Sequence, residues 1–150
     1  MAHSFICCNV HYIFSTKDRR RIVTPELAQR LWPYMGGIAR EHEMKALAVG
    51  GMEDHIHVLV TLPSTLPVAK AVQLIKGGSS KWVSDTFAEH RKFEWQEGYA
   101  AFSVSASRIP ETVEYIATQQ KHHRKRTFEE EYIEFLDRHG IEYDGRYLWG

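Results

Sequence analysis

Residues 54–62 read DHIHVLVTL, and this stretch decides the fold that the sequence predicts. Its alternation is typical of a β-strand, in which successive side chains point to opposite faces. Every second residue from Ile56 onward then points into an apolar core, while His55 and His57 lie together on the other face. The stretch therefore predicts a strand that carries two neighbouring imidazoles.

The segments around this strand predict three more strands and several amphipathic helices. Gly50, Gly51 and Met52 are typical of a turn, which would pair the second strand with the histidine strand as a hairpin. We expect strands over residues 5–15, 45–49, 54–62 and 99–105, and helices from residues 25, 68, 110 and 127, the second interrupted at Gly77-Gly78. This order predicts an α+β fold, a ferredoxin-like or RRM-like antiparallel sheet flanked by helices on one side.

Composition limits the domain count and the compartment. The chain has 150 residues, of which 43% are apolar and 25% charged, and this is enough for one core, so we expect a single domain over residues 1–150. Cys7 and Cys8 are adjacent in a predicted strand and cannot form a disulfide framework. No apolar run approaches the roughly 18 residues of a membrane span. We therefore expect a cytoplasmic protein with no membrane partner.

The two histidines form a candidate metal site. Neutral imidazole binds divalent transition metals well, and two imidazoles on a rigid strand meet one ion with little reorganisation. The alternative is that both are ordinary surface or hydrogen-bonded histidines. Glu53 falls on the histidine face and Asp54 is expected to point away, and a solvated turn is the preferred interpretation of both.

A second group of candidate residues lies in the helix that begins near Pro110. Tyr115, Gln119 and His122 share one side at helical spacing, with Gln119 offering a neutral oxygen ligand to an ion held by the histidines. A phenol has a pKa near 10, so a base or a cation must help it to act as a nucleophile. The alternative is a partly buried tyrosine that anchors its helix. The expected sheet-facing residues are Val113, Ile116, Ala117 and Gln120.

The ordered combination resembles the small single-tyrosine transposases of the HUH superfamily, which include the REP-associated tyrosine transposases. The likeness is carried by His-hydrophobe-His on a strand, by Tyr115 followed four residues later by Gln119, and by the pair His122-His123. It extends over most of the chain, through residues 11–17, 50–60, 76–80, 95–105 and 132–149.

This resemblance implies a transposase of an insertion sequence, or a domesticated relative, that cleaves single-stranded DNA at hairpin-bearing element ends through a 5′-phosphotyrosine. It implies that Tyr115 is the nucleophile and that His55, His57 and Gln119 bind Mg²⁺ or Mn²⁺. Such a neutral ligand set leaves the double charge of the ion facing the scissile phosphate. The resemblance also implies a homodimer in which the tyrosine helix of one subunit completes the metal site of the other.

DNA binding is expected to use cations that contact phosphates and aromatic rings that stack on bases. The formal net charge is zero, with 19 basic and 19 acidic residues, so the argument depends on local clusters. A generic solvated surface is the alternative for each cation. Residues 76–81 lack the spacing of a G-x-x-x-x-G-K-[ST] loop, so no nucleotide cofactor is expected. The candidate DNA-binding residues are Arg19, Arg20, Arg21, Lys121, Arg124 and Arg126.

Two other functions fit the same residues. One is a non-catalytic module that binds single-stranded nucleic acid, such as an inactive domesticated relative. The other is a metal-dependent hydrolase that uses water as its nucleophile and releases both DNA ends. A covalent adduct on Tyr115 distinguishes the transposase from both alternatives.

Overall fold

The computed structural model describes residues 3–123 and 125–150, and over these residues the chain forms a four-stranded antiparallel sheet with five α-helices. The strands run in the spatial order β2-β3-β1-β4, and every neighbouring pair is antiparallel. This is the predicted ferredoxin-like α+β arrangement. The strands are β1 (Asn9–Ser15), β2 (Lys45–Gly51), β3 (His55–Thr61) and β4 (Ala100–Ser103); the helices are α1 (Pro25–Glu41), α2 (Val68–Thr86), α3 (Ile109–Ala117), α4 (Gln119–His122) and α5 (Phe128–Arg138).

One face of the sheet packs against α1 and α2. Ile56 and Val58 of β3 are fully buried there beside Tyr12 and Phe14 of β1, as the alternation of the histidine strand predicts. The first helix begins as expected, because the Thr24 side chain accepts a hydrogen bond from the Leu27 backbone amide at 3.2 Å.

The opposite face, which carries the histidines, is also covered. Aromatic side chains of α5 pack on it beside Ile13 of β1 and Phe102 of β4. As a result His55 and His57 are both 0% exposed. The prediction that helices cover only one side of the sheet is therefore wrong. The histidines gave this face a partly polar sequence pattern, which is typical of an exposed face, although the face is buried.

The strand boundaries differ locally from those predicted. β1 begins at Asn9, so Cys7 and Cys8 precede it and are exposed. The predicted turn at Gly50 and Gly51 is wrong, because both residues continue β2 and the turn follows them at residues 52–54. The hairpin itself is confirmed.

The predicted interruption of the second helix is also wrong. α2 runs unbroken through Gly77 and Gly78, and at Gly78 a Cβ atom would lie 3.0 Å from Ile38 Cδ1 of α1. The missing side chain lets the two helices approach each other. None of the described helices combines the length and apolarity that crossing a bilayer requires.

A close contact at Gly50 sets the position of α3 against β2. A Cβ atom at Gly50 would lie 2.8 Å from the Ile116 carbonyl oxygen and 3.0 Å from Ile116 Cγ2. We therefore expect Gly50→Ala to displace α3, to lower the free energy of unfolding by about 1–3 kcal/mol and to slow any reaction of Tyr115. Urea unfolding measures the first effect.

Gly77→Ala is the matched control, because a Cβ atom there meets nothing within 4 Å. In the middle of a helix this change is expected to stabilise the protein by about 0.5–1 kcal/mol. Equal stability of the Gly50→Ala variant and the unchanged protein would show that α3 can move away from β2 without loss of folding free energy.

Candidate metal and tyrosine site

The two histidines lie at the start of β3, where the sheet holds them rigidly. His57 pairs with Ile13 and His55 with Ser15 across the β1–β3 ladder. Asp54 does not point away as predicted, because it lies in the turn before the strand, where strand alternation does not apply. Its Oδ1 atom lies 2.8 Å from His55 Nδ1, so the Nε2 atom of that ring faces the interior.

Glu131 of α5 connects the histidines to each other. Its Oε1 atom lies 3.1 Å from His57 Nε2 and 3.4 Å from His55 Nε2. The residue is 0% exposed, and one donor atom from each of the three side chains lies within 4.8 Å of the other two. A carboxylate therefore joins the two imidazoles, whereas a neutral ligand set was predicted.

Tyr115 lies beside the same carboxylate. Its hydroxyl donates a hydrogen bond to Glu131 Oε2 and accepts one from Arg126 Nη2 at 2.6 Å. The tyrosine ring lies 5.8 Å from the His57 ring, centroid to centroid, and stacks on His122 at 4.2 Å. The phenol is thus held between an acceptor and a cation, within one chain and next to the histidine pair.

The helix that carries Tyr115 ends earlier than predicted. Thr118 breaks it with φ −111° and ψ 30°, and Gln119 begins the short helix α4. The break turns Gln119 into the interior, where it is 2% exposed and its Oε1 atom lies 2.9 Å from His55 Nε2. Of the four residues expected to face the sheet, Ile116 is buried, but Ala117 and Gln120 are exposed. For those two residues the prediction is wrong.

The electrostatics of the site follow from burial and close pairing. Burial alone would lower the pKa of His55, but its hydrogen bonds to Asp54 and Glu131 raise it to about 9. Burial would raise the pKa of Glu131, yet the charge of His57 and hydrogen bonds from the surrounding histidines hold it well below its ordinary value. Burial and the nearby charge of Glu131 raise the pKa of the Tyr115 hydroxyl. Glu131 is therefore a buried anion that needs positive charge beside it.

The donor atoms fit a divalent cation. Around a six-coordinate ion with bonds of about 2.1 Å, neighbouring ligand atoms are about 3 Å apart. The separations of His55 Nε2 from Gln119 Oε1 and of His57 Nε2 from Glu131 Oε1, 2.9 and 3.1 Å, match this spacing. Two imidazoles, an amide oxygen and a carboxylate form an ordinary donor set for such an ion.

The five predicted DNA-binding cations that lie within the described residues divide into two groups. Arg20 and Lys121 are exposed and lie outside the cleft next to the histidines, and Arg124 lies outside the described residues. The other cations line that cleft, which has a volume of about 580 Å³ and reaches Asp54 and His123. The basic residues along it are Arg19, Arg21, Lys125 and Arg126. Lys125 was not among the predicted residues.

Sequence reasoning missed Glu131, although the sequence contains a sign of it. In α5 the buried apolar residues Phe128, Tyr132 and Phe135 form one stripe, and Glu131 falls within that stripe. A carboxylate at such a position must be buried, and buried charges need partners. His11 was missed as well; its Nε2 atom lies 2.8 Å from His57 Nδ1.

The sequence matches a family model described as IS200-like transposase over residues 4–119. It is 26% identical over 110 residues to the transposase of insertion sequence IS200 from Salmonella typhimurium, covering 69% of this chain and 72% of that one. It is 22% identical over 114 residues to the ISDra2 transposase of Deinococcus radiodurans, covering 73% of this chain and 81% of that one.

Two solved structures have a similar fold. A putative transposase from Deinococcus radiodurans superposes with a TM-score of 0.65 at 22% identity, over 79% of this chain and 96% of that one. A REP-associated tyrosine transposase bound to a REP hairpin superposes with a TM-score of 0.60 at 17% identity, over 82% of this chain and 73% of that one.

Proposed function

Because the chain belongs to the IS200-like transposase family, we propose that it cleaves single-stranded DNA at hairpin-bearing element ends and transfers the strand through a 5′-phosphotyrosine. The observation that carries this proposal is the single carboxylate of Glu131. One of its oxygens faces the two histidines and the other accepts the hydrogen bond from Tyr115. A cation site and a nucleophile therefore meet at one residue.

The proposed metal ligands are His55, His57 and Gln119, and we include Glu131 because its carboxylate lies beside the two histidines. A bound Mg²⁺ or Mn²⁺ ion would orient the scissile phosphate and offset the charge that develops on it. With the carboxylate present the ligand set carries one negative charge, so the ion is less electrophilic than a neutral set would make it. In return, Glu131 gives the buried site a charge that favours a cation.

Tyr115 is the proposed nucleophile. Its neighbours provide the hydrogen-bond acceptor and the positive charge that a phenol needs in order to attack phosphorus. Glu131 Oε2 accepts the hydrogen bond that orients the phenol, and Arg126 donates to the phenol oxygen and stabilises the phenolate that develops as the proton leaves to water. The bond from Tyr115 Oη to phosphorus forms as the bond to the 3′ oxygen breaks, and that oxygen takes up a proton to become a 3′-hydroxyl. Attack by a 3′-hydroxyl reverses these steps and rejoins DNA without ATP.

The DNA strand is proposed to reach the site through the basic cleft. Three of its cations, Arg19, Arg21 and Arg126, were expected to bind phosphate, and the cleft leads to His123 beside Gln119 and Glu131. Arg19 also lies 4.6 Å above the ring of Trp149, and Glu129 pairs with it at 3.0 Å. A DNA phosphate would compete with Glu129 for this guanidinium.

A homodimer with active sites completed between subunits remains part of the proposal, since the family resemblance implies it. The geometry within this chain supports a different arrangement of the site. Tyr115 already contacts Glu131 and Arg126 of its own chain. The proposed catalytic residues are the same in both arrangements, which differ only in whether Tyr115 acts on the histidines of its own chain or on those of the partner.

The test is covalent capture of DNA. Full-length protein is incubated with a panel of labelled single-stranded hairpin oligonucleotides and Mn²⁺ or Mg²⁺, then denatured and separated. We expect label that stays on the protein after denaturation, requires the divalent ion and is lost with chelator. The released fragment should carry a 3′-hydroxyl that a terminal transferase extends.

Two outcomes would overturn the proposal in different ways. Hairpin binding without any adduct, under all ion conditions, would support the non-catalytic binding module. Cleavage that releases both ends with no label on the protein would support a hydrolase that uses water.

A further inference from the structure

His123, directly after α4, points its ring into the same cluster of donor atoms. Its Nε2 atom lies 3.0 Å from Gln119 Oε1 and 3.3 Å from Glu131 Oε1, and its side chain is only 9% exposed. The ring also lies 4.6 Å from the ring of His55. A third imidazole nitrogen therefore lies close to the two oxygens that approach His55.

The hydrogen bond on the other side of the ring decides which nitrogen carries the proton. His123 Nδ1 lies 3.1 Å from the Arg126 carbonyl oxygen, which can only accept, so Nδ1 carries the hydrogen. Nε2 of His123 then faces the Gln119 and Glu131 oxygens and is the ring nitrogen available to a metal ion. Asp54 fixes His55 in the same way, with Nδ1 as the donor. The Nε2 atoms of both rings therefore face the same two oxygens, and a cation bound among them would contact both nitrogens and both oxygens.

We propose that His123 is a third imidazole ligand and that the site takes a transition-metal dication such as Mn²⁺ or Co²⁺ in preference to Mg²⁺. This inference rests on the proposed function, because it uses His55 and His57 as ligands. Three imidazoles, an amide oxygen and one carboxylate oxygen are a nitrogen-rich donor set, whereas Mg²⁺ favours oxygen ligands. With these five protein ligands, a six-coordinate ion would have one position left for a phosphate oxygen.

The first test counts the histidines on the metal. Each ligated ring keeps an N–H group, and in Co²⁺-loaded full-length protein that proton gives a strongly shifted NMR signal that disappears in D₂O. We expect three such signals, one for each imidazole. Two signals would overturn the role of His123 while leaving the proposed function intact, whereas no Co²⁺ binding would overturn the metal site itself.

The second test measures selectivity with His123→Asn. Asparagine retains a donor for the Arg126 carbonyl but has no atom at the Nε2 position. We expect the dissociation constant for Mn²⁺, measured from the EPR signal of the free ion, to rise at least about tenfold. Mg²⁺ affinity, measured by competition, should change by no more than about twofold. Equal losses for both ions, or no loss, would overturn the proposal.

His122→Asn is the matched control, since it removes the neighbouring imidazole from the same segment. That ring stacks on Tyr115 and its Nε2 atom lies 3.2 Å from Thr118 Oγ1, away from the proposed metal ligands. We expect its Mn²⁺ dissociation constant to stay within about twofold of the unchanged protein. If circular dichroism shows that His123→Asn is unfolded, the number of shifted NMR signals in the unchanged protein decides whether His123 is a ligand.

Discussion

The variant Tyr115→Phe is expected to form no covalent adduct with hairpin DNA, a loss of at least about 10³-fold. The change removes only the hydroxyl, the single atom proposed to attack phosphorus. Glu131 Oε2 keeps a donor, because Gln119 Nε2 lies 3.2 Å from it. The free energy of unfolding should therefore fall by only about 1 kcal/mol. Denaturing gels of labelled DNA measure the adduct, and mobility shift measures binding, which should remain.

Tyr143→Phe is the control for this variant, because Tyr143 is 43% exposed in the C-terminal segment. It should form adduct at the rate of the unchanged protein. Undiminished adduct in Tyr115→Phe would remove Tyr115 from the mechanism.

Mixing Tyr115→Phe protein with His57→Ala protein decides how the sites are assembled. Each variant lacks one group that the proposed mechanism requires, so neither should form adduct alone. Restored adduct in the mixture would show that one subunit's tyrosine serves the partner's histidines. Without restoration, each site is completed within its own chain, as the contact between Tyr115 and Glu131 in the structure suggests.

The second large effect is expected for Glu131→Gln. Glutamine keeps the shape of the side chain but removes the buried negative charge, so the affinity for Mn²⁺ should fall by roughly 100-fold. The surrounding histidines lose their counter-charge, and breaking such a buried pair typically costs about 3–5 kcal/mol of folding free energy. Urea unfolding in chelator measures the stability, and Mn²⁺ titration measures the affinity.

Glu129→Gln provides the comparison within the same helix. Glu129 pairs with Arg19 at the surface, where its side chain is 43% exposed, so its loss should cost less than about 1 kcal/mol and leave metal binding unchanged. A Glu131→Gln variant that matched Glu129→Gln in both measurements would show that Glu131 neither binds the ion nor stabilises the cluster.

Much of the fold was predictable because it follows from local patterns. The alternation of residues 54–62, the cap at Thr24 and the order of elements predicted the sheet and the helices that cover its first face, and the structure confirms them. The helix break at Thr118 was not predictable in the same way. Residues on both sides of it have ordinary helix-forming character, and the break serves to turn Gln119 toward His55.

The sequence by itself determined that two imidazoles lie side by side on a strand and that Tyr115 and Gln119 lie four residues apart in a largely helical stretch, which Thr118 divides into α3 and α4. These are relations between residues a few positions apart, which backbone periodicity dictates. Only the tertiary structure decided that Glu131 joins them, 74 positions beyond His57 in the chain. That contact depends on the aromatic stripe of α5 packing against the sheet, which forces a charged residue within the stripe to find its partners in the interior.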